Sequence, residues 1–199
     1  MNAAQLDAVF GTGFSKVKEV QFHYMLNSPA TPITAPNADV QEQDRVVDAT
    51  FDAATGKLSI TDSATGDGLW IPYLGNGSGG DQAKGWGTYT RAVAGQTWVA
   101  TGKFSGCSIG KFSGAGGTRF AHLITPADGH PCASVDQQSA AVSAATGMNT
   151  VVTFKPQIVA GEAIAFMLFL NGGWCKRVVQ VGSGTTRVTA LGTKSTPIV

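Results

Sequence analysis

The chain has 199 residues, a formal net charge of +1 at pH 7 and only 14% charged residues. Its 43% apolar content excludes a disordered chain, and its near-neutral balance excludes a protein held to nucleic acid through phosphates. No apolar run reaches the ~18 residues of a membrane-spanning helix, and the first residues lack the basic cluster of a signal peptide. We therefore expect one soluble domain over residues 1–199, with neither a nucleic-acid nor a membrane partner.

Alternation of apolar and polar residues, the pattern of a half-buried strand, recurs along the chain. It begins at Val20–Leu26, where every second residue is apolar. The β-branched and aromatic content of the later segments favours strands as well. In chain order these segments are Leu58–Thr61, Gly68–Leu74, Gln96–Phe104, Thr118–Thr125, Thr150–Lys155, Ala163–Leu170, Trp174–Val181 and Thr185–Leu191.

Two segments are predicted to be helical. Asn2–Phe10 begins with an N-cap residue, Asn2. Gln137–Thr146 is alanine-rich and is followed by Gly147, a residue typical of helix C-termini. The predicted fold is thus α+β, mainly β: a mixed or antiparallel β-sandwich with one or two short helices.

Glycine-rich stretches are predicted to form two long loops. Gly75–Gly87 carries six glycines, and Ser108–Gly117 separates two predicted strands. Both are expected to lie on the surface.

Three familiar motifs are present without the context that they need. Gly75–Gly80 has the spacing of a dinucleotide loop but no helix or acidic residue in the required place. Ser108 lies in a G-x-S-x-G motif that no helix follows. His122, His130 and Cys132 have no usual zinc spacing. We therefore predict no cofactor and no metal.

Cys107 differs from Cys132 and Cys175, for which the sequence predicts only small buried side chains. It follows a predicted strand in a Ser105-Gly106 turn, and a later strand carries His122. A cysteine beside a histidine can form a thiolate–imidazolium pair, the species that attacks carbonyl carbon. Backbone N–H groups in such a turn can hold an oxyanion.

These residues resemble the deamidase toxin family that includes the cytotoxic necrotizing factors and the Burkholderia lethal factor. The resemblance rests on Phe104-Ser105-Gly106-Cys107, on Thr101 six residues before the cysteine and on His122 fifteen residues after it. Upstream, Leu69-Trp70-Ile71-Pro72-Tyr73 is similar to the lethal factor's Leu-Trp-Leu-Pro-Trp. The similarity covers roughly residues 57–124.

The resemblance implies hydrolysis of a glutamine side-chain amide in a host protein. Cys107 would be the nucleophile, His122 the acid and base, and Thr101 the residue that orients the imidazole. The oxyanion hole would come from the turn, and further residues would flank the site. The turn residues are Ser105, Gly106 and Ser108, and the flanking residues are Trp70, Pro72 and Tyr73.

The resemblance further implies a toxin or virulence effector that is secreted without a classical signal peptide and acts in the host cytosol. We expect the protein to be a monomer. A cytoplasmic location is the alternative. Two other functions stay open: a non-catalytic β-sandwich of a secreted or phage-like particle, and a Cys/His peptidase or acyltransferase. The last shares its acyl-enzyme with the deamidase, so the sequence does not separate them.

Overall fold

The computed structural model describes residues 1–11, 16–22, 26, 40–74, 87–125, 133–158, 160–191 and 195–199. The fold is mainly β with two short helices, which confirms the predicted class. The elements are α1 (Ala3–Phe10), β1 (Glu19–Phe22), β2 (Val40–Glu42), β3 (Arg45–Asp52), β4 (Lys57–Asp62), β5 (Gly68–Ile71), β6 (Gly87–Tyr89), β7 (Trp98–Phe104), β8 (Ser108–Gly114), β9 (Gly117–Leu123), α2 (Val135–Thr146), β10 (Asn149–Phe154), β11 (Glu162–Leu170), β12 (Gly173–Val181), β13 (Val188–Leu191) and β14 (Thr196–Pro197).

The larger sheet has the order β1-β4-β3-β5-β7-β11-β12-β13, with β14 pairing β12. Its two edges meet, because Val20 N–H donates to the Thr186 carbonyl and Val188 N–H donates to the Lys18 carbonyl, each at 2.9 Å. The sheet therefore curls. One continuous apolar cluster joins α1 to side chains from almost every strand of this sheet, so α1 fills its concave side.

The smaller sheet has the order β10-β8-β9-β6-β2 and lies against the outer face of the larger one. A second apolar cluster fills the space between the two sheets. Helix α2 covers the opposite face of the smaller sheet through a third cluster that includes Val142, Leu123 and Phe112. The layers are thus α1, larger sheet, smaller sheet and α2. Among the described residues no helix is long and apolar enough to cross a membrane.

Both predicted helices are confirmed, and local chemistry explains their ends. Asn2 accepts from Gln5 N–H, and the Gln5 side chain accepts in return from Asn2 N–H. Ser134 and Gln137 form the same capping box, so α2 begins two residues before the predicted start. Gly147 ends α2 at φ 66°, a left-handed conformation that glycine adopts at little cost.

The prediction of a loop over Ser108–Gly117 is wrong, because these residues form β8 and the hairpin turn into β9. The glycine in the middle of the strand has a packing role: a Cβ on Gly110 would come within 2.6 Å of the Phe112 ring. Glycine content alone therefore misled the prediction. Most of the other predicted loop, Gly75–Gly87, lies outside the described residues, and Gly87 itself begins β6.

Further strands were not predicted from the alternation. They are β2, β3, β6, β8 and the short β14. In β3 only Val47 and Ala49 are buried, so the alternation of buried apolar and exposed polar residues is too short to predict the strand. The strand is nevertheless held on both sides, by β4 and by β5.

A β-bulge lies where the chain leaves the larger sheet for the smaller one. Residue Ile164 of β11 pairs with Gly102, and its neighbour Ala163 pairs with Phe104, so one extra residue is inserted in β7. Gly102 has φ 152°, a conformation that side-chain-bearing residues rarely adopt. The chain then turns at residues 105–107 and enters β8.

We expect Gly102→Ala to lower the free energy of unfolding by about 1–3 kcal/mol. The new Cβ would lie 2.7 Å from the Ala163 carbonyl oxygen, in a backbone conformation unfavourable to alanine. Gly106→Ala, in the turn just before β8, is the matched control, because no atom of the described residues lies within 4 Å of its Cβ position. Urea denaturation of both variants checks this. Equal stability of the two would contradict the account of the bulge.

Candidate active site

Thr101 and His122 meet between the two sheets. Thr101 lies on β7 and its parallel partner on β5 is Ile71. His122 lies on β9 of the smaller sheet. The Thr101 hydroxyl oxygen is 2.9 Å from the Ile71 carbonyl oxygen and 2.7 Å from His122 Nδ1. The predicted pairing of this threonine with this histidine is therefore present in the fold.

The hydrogen bonds of Thr101 define the tautomer of the imidazole. The Ile71 carbonyl can only accept, so the single hydroxyl proton of Thr101 is directed to it. His122 Nδ1 must then carry a proton and donate it to the Thr101 oxygen. The lone pair consequently lies on Nε2, where a base would need it.

Nε2 of His122 is buried and has no hydrogen-bond partner among the described residues. Buried polar atoms of this kind are rare in folded proteins and call for an explanation. One explanation is a base whose partner, the thiol or the substrate, comes within reach only during the reaction.

Two aromatic rings enclose the imidazole. The Tyr73 ring stacks on it with centroids 5.0 Å apart, and the Phe104 ring meets it edge-on at 4.9 Å. His122 is 1% exposed. Burial lowers the pKa of His122 to about 3, because a charged imidazolium would lose its hydration.

The lowered pKa disfavours the resting thiolate–imidazolium pair that the sequence suggested. At neutral pH His122 is uncharged. The described residues place no carboxylate in hydrogen-bond contact with either ring nitrogen that could stabilise the cation. The arrangement instead suits transfer of a proton to a neutral imidazole during attack, rather than a preformed ion pair.

Acid should destabilise the protein through His122. In the unfolded chain this histidine binds a proton below a pKa of 6.5, whereas in the folded protein it does so only near 3. Its contribution to stability is therefore full above pH 6.5 and is lost as the pH falls toward 3, by up to about 1.4 kcal/mol per pH unit. Denaturation of wild type and His122→Phe between pH 4 and 8 measures it. Parallel pH profiles for the two proteins would contradict the burial of a neutral imidazole.

Cys107 lies in the turn between the sheets. It is 5% exposed and belongs to the apolar cluster that also holds Phe104 and Ile109. Ser105 is exposed, Gly106 is half-buried, and space is open around the Cβ position of Gly106.

Tyr73 interacts with both Cys107 and His122. Burial raises the pKa of Tyr73, and the charge of a Cys107 thiolate raises that pKa further. The Tyr73 ring also lies on His122. The unpartnered Nε2 means that the thiol and the imidazole do not form a hydrogen bond in this structure. Such contacts often tighten only when substrate binds.

The fold places the other predicted site residues in different surroundings. Tyr73 contacts His122, and the Pro72 carbonyl accepts from the Thr88 hydroxyl at 2.7 Å. Ser108 is buried and pairs with Leu123 at the start of the β8–β9 ladder.

The placement of Trp70 beside the site is wrong. Its ring lies in the apolar cluster around α1, 4.8 Å from the Phe22 ring, on the other face of the larger sheet. The reason is the period of two along a strand: Ile71 faces the site, so its neighbour Trp70 cannot.

Phe104 is a wall of the site that the sequence did not single out as such. It was noted only as the residue before Ser-Gly-Cys, and nothing local predicts which ring will pack on a histidine 18 positions later. Three-dimensional packing alone brings them together.

Three candidate residues remain: His130, Cys132 and Cys175. His130 and Cys132 lie outside the described residues. In the part of the chain that is described, no group of three or more His, Cys, Asp or Glu residues gathers as metal ligands would. Cys175 is half-buried on β12, and burial raises the pKa of its thiol, with the charge of Asp7 adding to this.

No protein-family model matches the chain, and no curated protein matches it significantly.

Proposed function

We propose that the protein is a cysteine-dependent deamidase that converts a glutamine side chain of another protein to glutamate and ammonia. One observation carries the proposal above the others. The Thr101 hydroxyl holds His122 in the tautomer that leaves Nε2 as an unpartnered base, in the layer of the core that also contains Cys107. A buried histidine with only a packing role would have no need of a free lone pair.

The reaction begins with attack of Cys107 on the amide. His122 Nε2 takes the thiol proton as Sγ forms a bond to the amide carbon, and the negative charge moves to the carbonyl oxygen. The main-chain N–H of Cys107 and a neighbouring donor within residues 105–108 stabilise this oxyanion. The C–N bond then breaks, and Nε2–H gives its proton to the departing ammonia. A thioester on Cys107 is left.

Hydrolysis completes the cycle. A water molecule loses a proton to Nε2 and attacks the thioester carbon, and Sγ leaves and recovers the proton. Throughout these steps Thr101 keeps Nδ1–H occupied, so proton transfer takes place only at Nε2.

The low charge of the chain favours recognition of the target by shape. The 14% of charged residues and the net charge of +1 give no strong field to steer a partner. Through its resemblance to the deamidase toxins, the proposal extends to a monomeric virulence effector exported by a specialised route and active in a host cytosol.

The decisive experiment is mass spectrometry of host-cell lysate incubated with the protein. We expect one or a few glutamines to gain the mass of a Gln-to-Glu conversion, and we expect no such gain with Cys107→Ser. Cleaved peptides in place of converted glutamines would indicate the peptidase. Glutamines joined to amines would indicate an acyltransferase. An unchanged lysate would favour the non-catalytic module.

A further inference from the structure

A buried glutamine of α2 holds the strand that carries His122. The Gln138 side chain is 1% exposed. Its Oε1 accepts from Ile124 N–H at 2.9 Å, and its Nε2 donates to the Ile124 carbonyl at 2.7 Å. Nε2 also donates to the Ala133 carbonyl at 2.7 Å. The amide thus bonds to both main-chain groups of one residue, as a neighbouring strand would.

Thr125, the next residue along the chain, bonds to the turn at residues 105–107 that contains Cys107. The Thr125 hydroxyl donates to the Gly106 carbonyl at 2.6 Å. The β8–β9 ladder ends at the pair Ser108 and Leu123, and this side-chain bond continues the connection where the main-chain ladder stops.

The two contacts form one chain of bonds from α2 to the turn. Gln138 fixes Ile124, and Thr125 then reaches Gly106, which precedes Cys107. In a planar peptide the carbonyl and the following N–H point in opposite directions. A bond to the Gly106 carbonyl therefore sets the direction of the Cys107 N–H as well.

The geometry points to Thr125 as a positioning residue for the nucleophile, with Gln138 as its support. Thr125 orients the Gly106–Cys107 peptide and thereby fixes the thiol relative to His122. This role rests on the proposed deamidase function, because it assigns Thr125 to the same site. The chemistry needs such a device, since the thiol sits in a turn and the base sits on a strand of the smaller sheet.

Thr125→Val removes the donor while keeping the shape of the side chain, and Thr125→Ser keeps the donor. Thr125 is exposed, so neither variant should prevent folding. We expect Thr125→Val to lower kcat about tenfold or more with KM unchanged. Thr125→Ser should restore most of the rate. The matched control is Thr185→Val, which removes a hydroxyl-to-carbonyl bond to Gly182 in the exposed turn between β12 and β13 and should leave kcat unchanged.

Alkylation by iodoacetamide, followed by peptide mapping, tests the positioning of Cys107 by Thr125 without an activity assay. We expect Cys107 to react slowly in wild type because it is buried, and severalfold faster in Thr125→Val because the turn opens. Cys175 should react at the same rate in both and serves as the internal control. Equal alkylation of Cys107 in the two proteins, or an equal kcat, would overturn the role of Thr125.

The two proposals fail in different ways. If wild type releases no ammonia from any glutamine substrate but the alkylation rates differ as expected, the deamidase function is wrong and the positioning of Cys107 by Thr125 stands. If wild type is active and Thr125→Val matches it, the deamidase function stands and the inference about Thr125 is wrong.

Discussion

Cys107→Ser should abolish ammonia release from a glutamine-bearing protein. The neutral base His122 has to remove the proton of the nucleophile in the attack step, and a serine hydroxyl gives up its proton far less readily than a thiol does. The fold should survive, since the two side chains have the same shape. The stability loss should be about 1–3 kcal/mol, because a hydroxyl replaces a thiol in an apolar cluster. Ammonia release and thermal unfolding of the same sample measure both effects.

Cys175→Ser is the control for this experiment. Cys175 is half-buried on β12, on the side of the larger sheet that faces α1, and its removal should leave activity unchanged. A Cys107→Ser protein that keeps the wild-type rate and only melts earlier would identify Cys107 as a core residue, and the deamidase proposal would fail.

His122→Phe should lower kcat by about 10²–10⁴-fold, which is the usual contribution of a general acid–base group. Phenylalanine preserves an aromatic ring between Tyr73 and Phe104, so this variant separates chemistry from packing better than alanine would. It also removes the unpartnered Nε2, and its stability at neutral pH should therefore be close to that of wild type. Steady-state kinetics and urea denaturation provide the two measurements.

Thr101→Val is the companion variant. It keeps the shape of the side chain but removes the hydroxyl that accepts from Nδ1–H, so the imidazole can adopt either tautomer. We expect a loss of kcat smaller than that of His122→Phe, because the base is still present. If His122→Phe is as active as wild type, Nε2 is not the base and the mechanism is wrong. A Thr101→Val variant with the wild-type rate would show that only the role of Thr101 in the mechanism is wrong.

The pH dependence of the reaction rate follows from the burial of His122. Because the pKa of His122 is lowered to about 3, its protonation should produce no acid limb in the rate between pH 5 and 8. An exposed histidine would produce such a limb near its ordinary pKa of 6.5. The mechanism accordingly starts from a neutral imidazole.

Local chemistry in the sequence was sufficient for several elements of the fold. Asn2 predicted the start of α1 and Gly147 predicted the end of α2, because caps act within a few residues. Alternation predicted β7, and the continuous apolar run Ala163–Leu170 predicted β11, whose two faces are both buried, one toward α1 and the other toward the smaller sheet. The same alternation predicted that Val99 and Thr101 share a face.

Other features depend on contacts between distant residues, and the sequence did not determine them. A glycine-rich segment became β8 because the Phe112 ring packs where Gly110 has no side chain. Trp70 had the right neighbours in sequence, but the register of β5 turned it toward α1. These outcomes depend on which strands pair and in what register, and a short stretch of sequence does not specify either.

The candidate site divides in the same way. The sequence by itself suggested which residues could carry the proposed chemistry: Cys107 and His122 from their types and order, and Thr101 through the family resemblance. The tertiary structure alone decided how Thr101 and His122 are arranged. It joined Thr101 to His122 across two sheets, enclosed the imidazole between Tyr73 and Phe104, and so kept it neutral. The physical reason is that a tautomer and a pKa depend on hydrogen bonds and burial, and both arise only when distant segments pack together.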